Sequence, residues 1–194
     1  MTRMLIQTET TPNPSTLKFL PGERVMEAGT RDFASAEDAE ASPLASAIFS
    51  AGAVDGVFFG RDFVSVTAAA DADWRPLKPQ VLAILLDHFA SGAPLFTAAS
   101  AGGIAVDPDG EDFGDDPADA EIVDQIRELI ETRVRPAVAG DGGDIVYRGF
   151  RGGTVYLALQ GACSGCPSST MTLKHGIESL LKHYVPEVEA VEAV

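Results

Sequence analysis

The N-terminal half of the chain switches between a two-residue hydrophobic period and a helical one. Residues 3–9 and 15–20 alternate apolar and polar positions and predict two strands. Between them lies "TTPNP", where two prolines and Asn13 favour a turn, and Pro21-Gly22 closes the second strand. "SPLASAIFSAG" opens with Ser42 as a helix N-cap and Pro43 at the first helical position, then places Leu44, Ile48 and Phe49 at helical spacing. "GVFFG" and "FVSVT" are apolar, aromatic and β-branched, and Gly60-Arg61-Asp62 between them predicts a hairpin. A second helix is expected from about Pro76 to Phe89, with Leu77, Val81, Ile84, Leu85 and His88 along one stripe.

The periodicity breaks in "ASAGGIAVDPDGEDFGDDPADA", residues 99–120, which carries Asp107, Asp109, Glu111, Asp112, Asp115, Asp116 and Asp119 and no basic residue. Like charges at this density repel and extend a chain, and loops this long are uncommon inside compact domains. Residues 99–116 therefore read as a flexible acidic linker between a domain at 1–98 and one at 117–194. Beyond it, Asp116-Pro117 is a helix cap, and Ile122, Ile126, Leu129, Ile130 and Val134 predict a helix that ends or kinks near Pro136. "AGDGGDI" is a turn, and "DIVYRGF" and "TVYLALQ" are strands that Gly152-Gly153 joins as a hairpin. A last helix is expected from Pro167 to about Tyr184, with Leu173, Ile177, Leu180, Leu181 and Tyr184 inward. The fold class is α+β: two small α/β-sandwich-type domains joined by the acidic linker.

Charge narrows the partners. Lys and Arg total 14 against 29 Asp and Glu, a formal net charge of -15, which disfavours nucleic acid and anionic lipid. No stretch approaches the roughly 18 apolar residues of a membrane span. The start, "MTRMLIQTETTPNPSTLKFLPG", lacks the basic, apolar and small-residue regions of a secretory signal. These features predict a cytoplasmic protein with no membrane association.

The chain has two cysteines, Cys163 and Cys166, in "GACSGCPSST". In a reducing compartment such a pair is more often metal-binding or redox-active than structural. The loop lies between a strand end and a helix start, where unpaired backbone N–H groups and the helix dipole favour thiolate, the form that ligates metal. Gly161 and Gly165 let backbone amides approach the sulfurs. Zinc in a structural site and a four-iron cluster each want about four ligands. His175 and His183 are expected on the helix surface beside Lys174 and Lys182, and His88 belongs to the other domain, so none of the three is expected to ligate. A second copy of the chain completes the set, with two pairs meeting on a twofold axis. On these residues alone, an iron–sulfur cluster and a structural zinc remain equally open. A thiol–disulfide oxidoreductase, with Cys163 as attacking thiol, is less expected because a short hairpin precedes the motif.

"VRPAVAGDGGDIVYRGFRGGTVYLALQGACSGCPSSTMTLKHGIESLLK", residues 134–182, resembles the NifU-like (Nfu) iron–sulfur cluster domain. "TPNPSTLKFLPG", "SPLASAIF", "GVFFGRDFVSVT" and "WRPLKP" resemble the N-terminal domain that accompanies it in many members. The resemblance implies a carrier or scaffold, not an enzyme, that holds a [4Fe-4S] cluster between two subunits and passes it to apo-proteins. It implies that Cys163 and Cys166 are the cluster and metal ligands. It further implies an upstream scaffold as donor and a homodimer when cluster-bound.

Overall fold

The computed structural model describes residues 5–98, 113–164 and 167–194, with the main chain alone at 167–169. The chain divides into two compact units, Met1–Ala105 and Val106–Val194, both mixed α and β.

The first unit is built on a five-stranded antiparallel sheet. Strands β1 (Gln7–Thr10), β2 (Thr16–Leu20), β3 (Arg31–Phe33), β4 (Val54–Phe59) and β5 (Val64–Ala68) lie in the order β1-β2-β5-β4-β3. The "TTPNP" turn works through Asn13, whose Oδ1 accepts from the Ser15 N–H at 3.0 Å while its carbonyl accepts from Thr16 N–H at 3.0 Å. Helix α1 (Pro43–Ser50) starts as expected, with Ser42 Oγ accepting from the Ala45 N–H at 3.3 Å. Helix α2 (Trp74–Ser91) begins two residues before the expected start because Asp73 caps it, and ends where Gly92 turns left-handed at φ 64°. Phe19, Phe33, Val57, Phe59, Val64 and Val66 meet Leu44 and Ile48 of α1 and Leu77, Val81 and Leu85 of α2 in one core. Strand β3 was not visible in the sequence. It has one buried side chain and exists through main-chain pairing with β4.

In the second unit β6 (Gly114–Asp115), β7 (Gly143–Arg151), β8 (Thr154–Gly161) and β9 (Ala190–Ala193) form a sheet in chain order. The β7–β8 hairpin turns on Gly152 and Gly153, both at positive φ. Helix α3 (Ala120–Leu129) passes through a π-helical stretch, Ile130–Val134, into α4 (Arg135–Gly140). Pro136 has no N–H for the carbonyl four residues back, Thr132, and its ring crowds that carbonyl. The widened turn absorbs the misfit, so the predicted kink is a π-bulge and the helix continues. Helix α5 (Pro167–Tyr184) crosses from β8 to the parallel strand β9. Val123, Ile126, Ile130, Val134 and Val138 pack with Ile145, Phe150, Val155 and Leu157, and with Ile177 and Leu181 of α5. Tyr184, expected inward, is 48% exposed, with the Arg133 guanidinium 5.7 Å from its ring.

The end of the acidic stretch is structured. Gly114–Asp115 pairs in parallel with Gly149–Phe150, and Asp115 accepts from Arg127 Nη2 at 2.9 Å, the Tyr147 hydroxyl at 2.5 Å and Phe150 N–H at 3.0 Å. Phe113 stacks on Tyr156 at 4.2 Å. Residues 99–112 of the expected linker lie outside the described residues.

Candidate metal centre

Cys163 sits two residues past β8, in a turn that leaves the sheet because Gly161 adopts φ 67°. Ser164 closes the turn: its N–H and hydroxyl both donate to the Gly161 carbonyl, at 3.1 and 2.8 Å. The Ala162 N–H donates to Gly142 O at 3.2 Å, tying the turn to the "DGGD" segment. Cys163 is a free thiol, 5% exposed, and belongs to the apolar core of the unit. Its sulfur lies against the main chain of Gly143, where a Cβ would stand 2.8 Å from Sγ and 2.5 Å from the Gln160 carbonyl oxygen. Glycine is required there by space.

Cys166 lies outside the described residues. In sequence it directly precedes Pro167, the first residue of α5.

The expectation that both sulfurs favour thiolate does not hold for Cys163. Burial, reinforced by the negative charges of Asp141 and Asp144, pushes its thiol up to about 12. The helix dipole that the sequence invoked reaches groups at the first turn of a helix, and Cys163 is on the sheet side of the loop. An attacking thiol must be exposed and easily ionised, so this geometry weighs against Cys163 as a disulfide-exchange nucleophile. The sequence-based objection to that chemistry weakens at the same time, since β8, α5 and β9 do form a strand–helix–strand crossover.

Neighbouring charges hold the turn's surroundings. Asp144, buried at the start of β7, accepts from Arg135 Nε at 2.9 Å and Nη2 at 2.6 Å, and from the Ile145 N–H at 2.8 Å. Arg135 also donates to Glu131 at 2.7 Å, and its partners raise its pKa above the ordinary arginine value. This fork joins α4 to the strand whose first residue, Gly143, walls the Cys163 sulfur. On the far side, the Thr170 hydroxyl of α5 donates to the Cys163 carbonyl at 3.0 Å. Gly143, Arg135, Asp144 and Thr170 carry no individual site signal in the sequence. The Arg135-Pro136 pair and the "DGGD" turn belong to the stretch that carries the family resemblance, but nothing in them places their side chains beside Cys163.

His175 and His183 are exposed on α5, as expected, and His88 is half-buried in the first unit against Phe89. Among the described residues no group of three or more His, Cys, Asp and Glu is arranged to hold a metal ion. No helix among them is long and apolar enough to cross a membrane.

Two family models match the chain: "Scaffold protein Nfu/NifU N terminal" over residues 6–92, and "NifU-like domain" over residues 126–192. The chain is 52% identical over 194 residues to NifU-like protein 4, mitochondrial, of Arabidopsis thaliana, and 51% identical over 194 residues to NifU-like protein 5, mitochondrial. It is 48% identical over 192 residues to the NFU1 iron-sulfur cluster scaffold homolog, mitochondrial, of Homo sapiens. These matches cover 97%, 97% and 98% of this chain and 65%, 67% and 72% of the relatives, so the chain spans about two thirds of their length. The expected cytoplasmic location does not survive the comparison, because all three relatives are mitochondrial by name. The features that expectation rested on, an N-terminal stretch unlike a secretory signal and no apolar span, do not distinguish the cytosol from another reducing compartment. With both family models matched in order along one chain, and relatives about half identical over nearly all of it, this protein belongs to the Nfu/NifU scaffold family.

Proposed function

We propose that this chain carries an iron–sulfur cluster as cargo. Cys163 and Cys166 of two copies hold it in [4Fe-4S] form between them, and the loaded homodimer passes it to apo-proteins after receiving it from an upstream scaffold. The protein acts as a carrier and not as an enzyme. The name of the human relative, an iron–sulfur cluster scaffold homolog, points the same way. What carries the reading is the spacing of the two cysteines, three positions apart between β8 and α5, with no third cysteine anywhere in the sequence. Two sulfurs cannot satisfy a four-iron core, whereas two copies supply the four thiolates it takes.

The Cys163 environment suits temporary binding. Its sulfur is buried in the empty protein, and rotation about Cα–Cβ moves it from the core toward a partner. The domain at 1–98 contains no cysteine, and its role in this reading is client recognition. Residues 99–112 tether it, raising the local concentration of a held client near the cluster. A chain starting at Phe113, which keeps β6 and its contacts, that transfers cluster to every client at the full-length rate would remove that role.

Cysteine substitution tests the ligands. After anaerobic reconstitution, Cys163→Ser and Cys166→Ser should each lose bound iron and sulfide, and with them transfer to an apo-protein, while far-UV circular dichroism is retained. Stoichiometric iron remaining on Cys163→Ser would refute the assignment.

A further inference from the structure

We infer that Thr170 is a positioning residue for the cluster ligand Cys163, an inference that rests on the carrier reading above. The Thr170 hydroxyl donates to the Cys163 carbonyl at 3.0 Å, across seven residues of chain. Thr170 belongs to the first turns of α5, and α5 begins at the residue that follows Cys166. A bond from this helix to the Cys163 main chain therefore ties one ligand's backbone to the element adjoining the other.

The bond is suited to both the empty and the loaded protein. In the structure the Cys163 sulfur is stowed in the core against Gly143, and sharing a cluster requires it to turn outward. That movement is a rotation about Cα–Cβ, which shifts the sulfur and leaves the carbonyl in place. The Thr170 bond can persist throughout, holding the pivot while the side chain swings. The rest of the turn is closed on the sheet side, by Ser164 on Gly161 and by Ala162 on Gly142, so those bonds fix Cys163 relative to β7 and β8. Thr170 fixes it relative to α5. Without the hydroxyl, the Cys163 backbone loses a constraint relative to α5, and the cluster is held by a looser ligand.

Thr170→Val removes the hydroxyl and keeps the branched shape, and Thr170→Ser keeps the hydroxyl. Each is reconstituted anaerobically in the full chain, and cluster loss to a ferrous-iron chelator is followed by visible absorbance. Loss of one hydrogen bond at the site should speed release about five-fold in Thr170→Val. Thr170→Ser should return the rate to that of the unsubstituted protein. The electron paramagnetic resonance spectrum of the reduced cluster should broaden or shift in the valine variant and recover in the serine variant, a change that lower stability alone does not produce. A valine variant with unaltered rate and spectrum would overturn the inference while leaving the carrier reading intact. So would a serine variant that behaves like valine. If the unsubstituted protein takes up no iron and sulfide, both fall together.

Discussion

Replacing Gly143 by alanine tests whether the Cys163 turn is packed as tightly as the geometry requires. The added methyl would stand 2.5 Å from the Gln160 carbonyl oxygen, 2.8 Å from Cys163 Sγ and 3.2 Å from Cys163 Cβ. The sulfur can rotate away, but Gln160 is main chain in β8, held in register with Asp144 one residue along β7. Overpacking against an unyielding neighbour costs about 1–3 kcal/mol. Alanine also restricts the unfolded chain, which returns about 0.4–1 kcal/mol because Gly143 is not among the glycines at positive φ. The clash is the larger effect, leaving a net loss of about 1–2 kcal/mol. For a domain of this size that lowers the melting temperature by about 4–15 °C. All tyrosines, Tyr147, Tyr156 and Tyr184, lie in the second unit, and Trp74, the sole tryptophan, lies in the first. Tyrosine near-UV circular dichroism and Trp74 fluorescence therefore follow the two units separately. The tyrosine transition should fall and the tryptophan transition should stay. A tyrosine transition within about 2 °C of the unsubstituted protein, or above it, would refute the packing argument.

Two further outcomes follow from the charges. Arg135→Met removes the two-point ion pair to buried Asp144 and should cost about 2–4 kcal/mol, read as a lower urea midpoint, with partial recovery in the Arg135→Met/Asp144→Asn pair; an unchanged midpoint for the single variant would contradict it. His88 is held below its ordinary pKa, chiefly because burial disfavours its charged form, with Asp87 opposing. The unfolded chain then binds more protons than the folded one below about pH 6.5, so the His88 contribution is present above that value and lost as pH falls through the folded pKa. First-unit stability, read by Trp74 fluorescence, should decline less steeply on acidification from pH 6.5 in His88→Gln; equal slopes would remove His88 as the cause.

The elements most legible in the sequence were those specified by neighbouring residues. Ser42-Pro43 announces α1 because cap and helical φ are both local, and Gly152-Gly153 announces its hairpin because positive φ is cheap only there. Strands β3, β6 and β9 were not legible. They are short, and pairing across the sheet decides them more than hydrophobic alternation does. Asp115 shows the difference most clearly. Within an acidic run it reads as one more solvated charge, yet the fold gives it Arg127, Tyr147 and the Phe150 N–H. At the candidate site, the cysteine spacing revealed the chemistry available. Burial of Cys163 was invisible because it depends on Gly143, twenty positions upstream, being brought beside the sulfur by the β7–β8 ladder.

The most direct test of the carrier account is native mass spectrometry of the full chain after anaerobic reconstitution with iron and sulfide, with zinc measured in parallel. The account predicts a species of two chains bearing four irons and four sulfides, about two of each per chain, that returns to single chains when the cluster is given up. A single chain that retains the whole cluster, or a dimer holding zinc without sulfide, would contradict it.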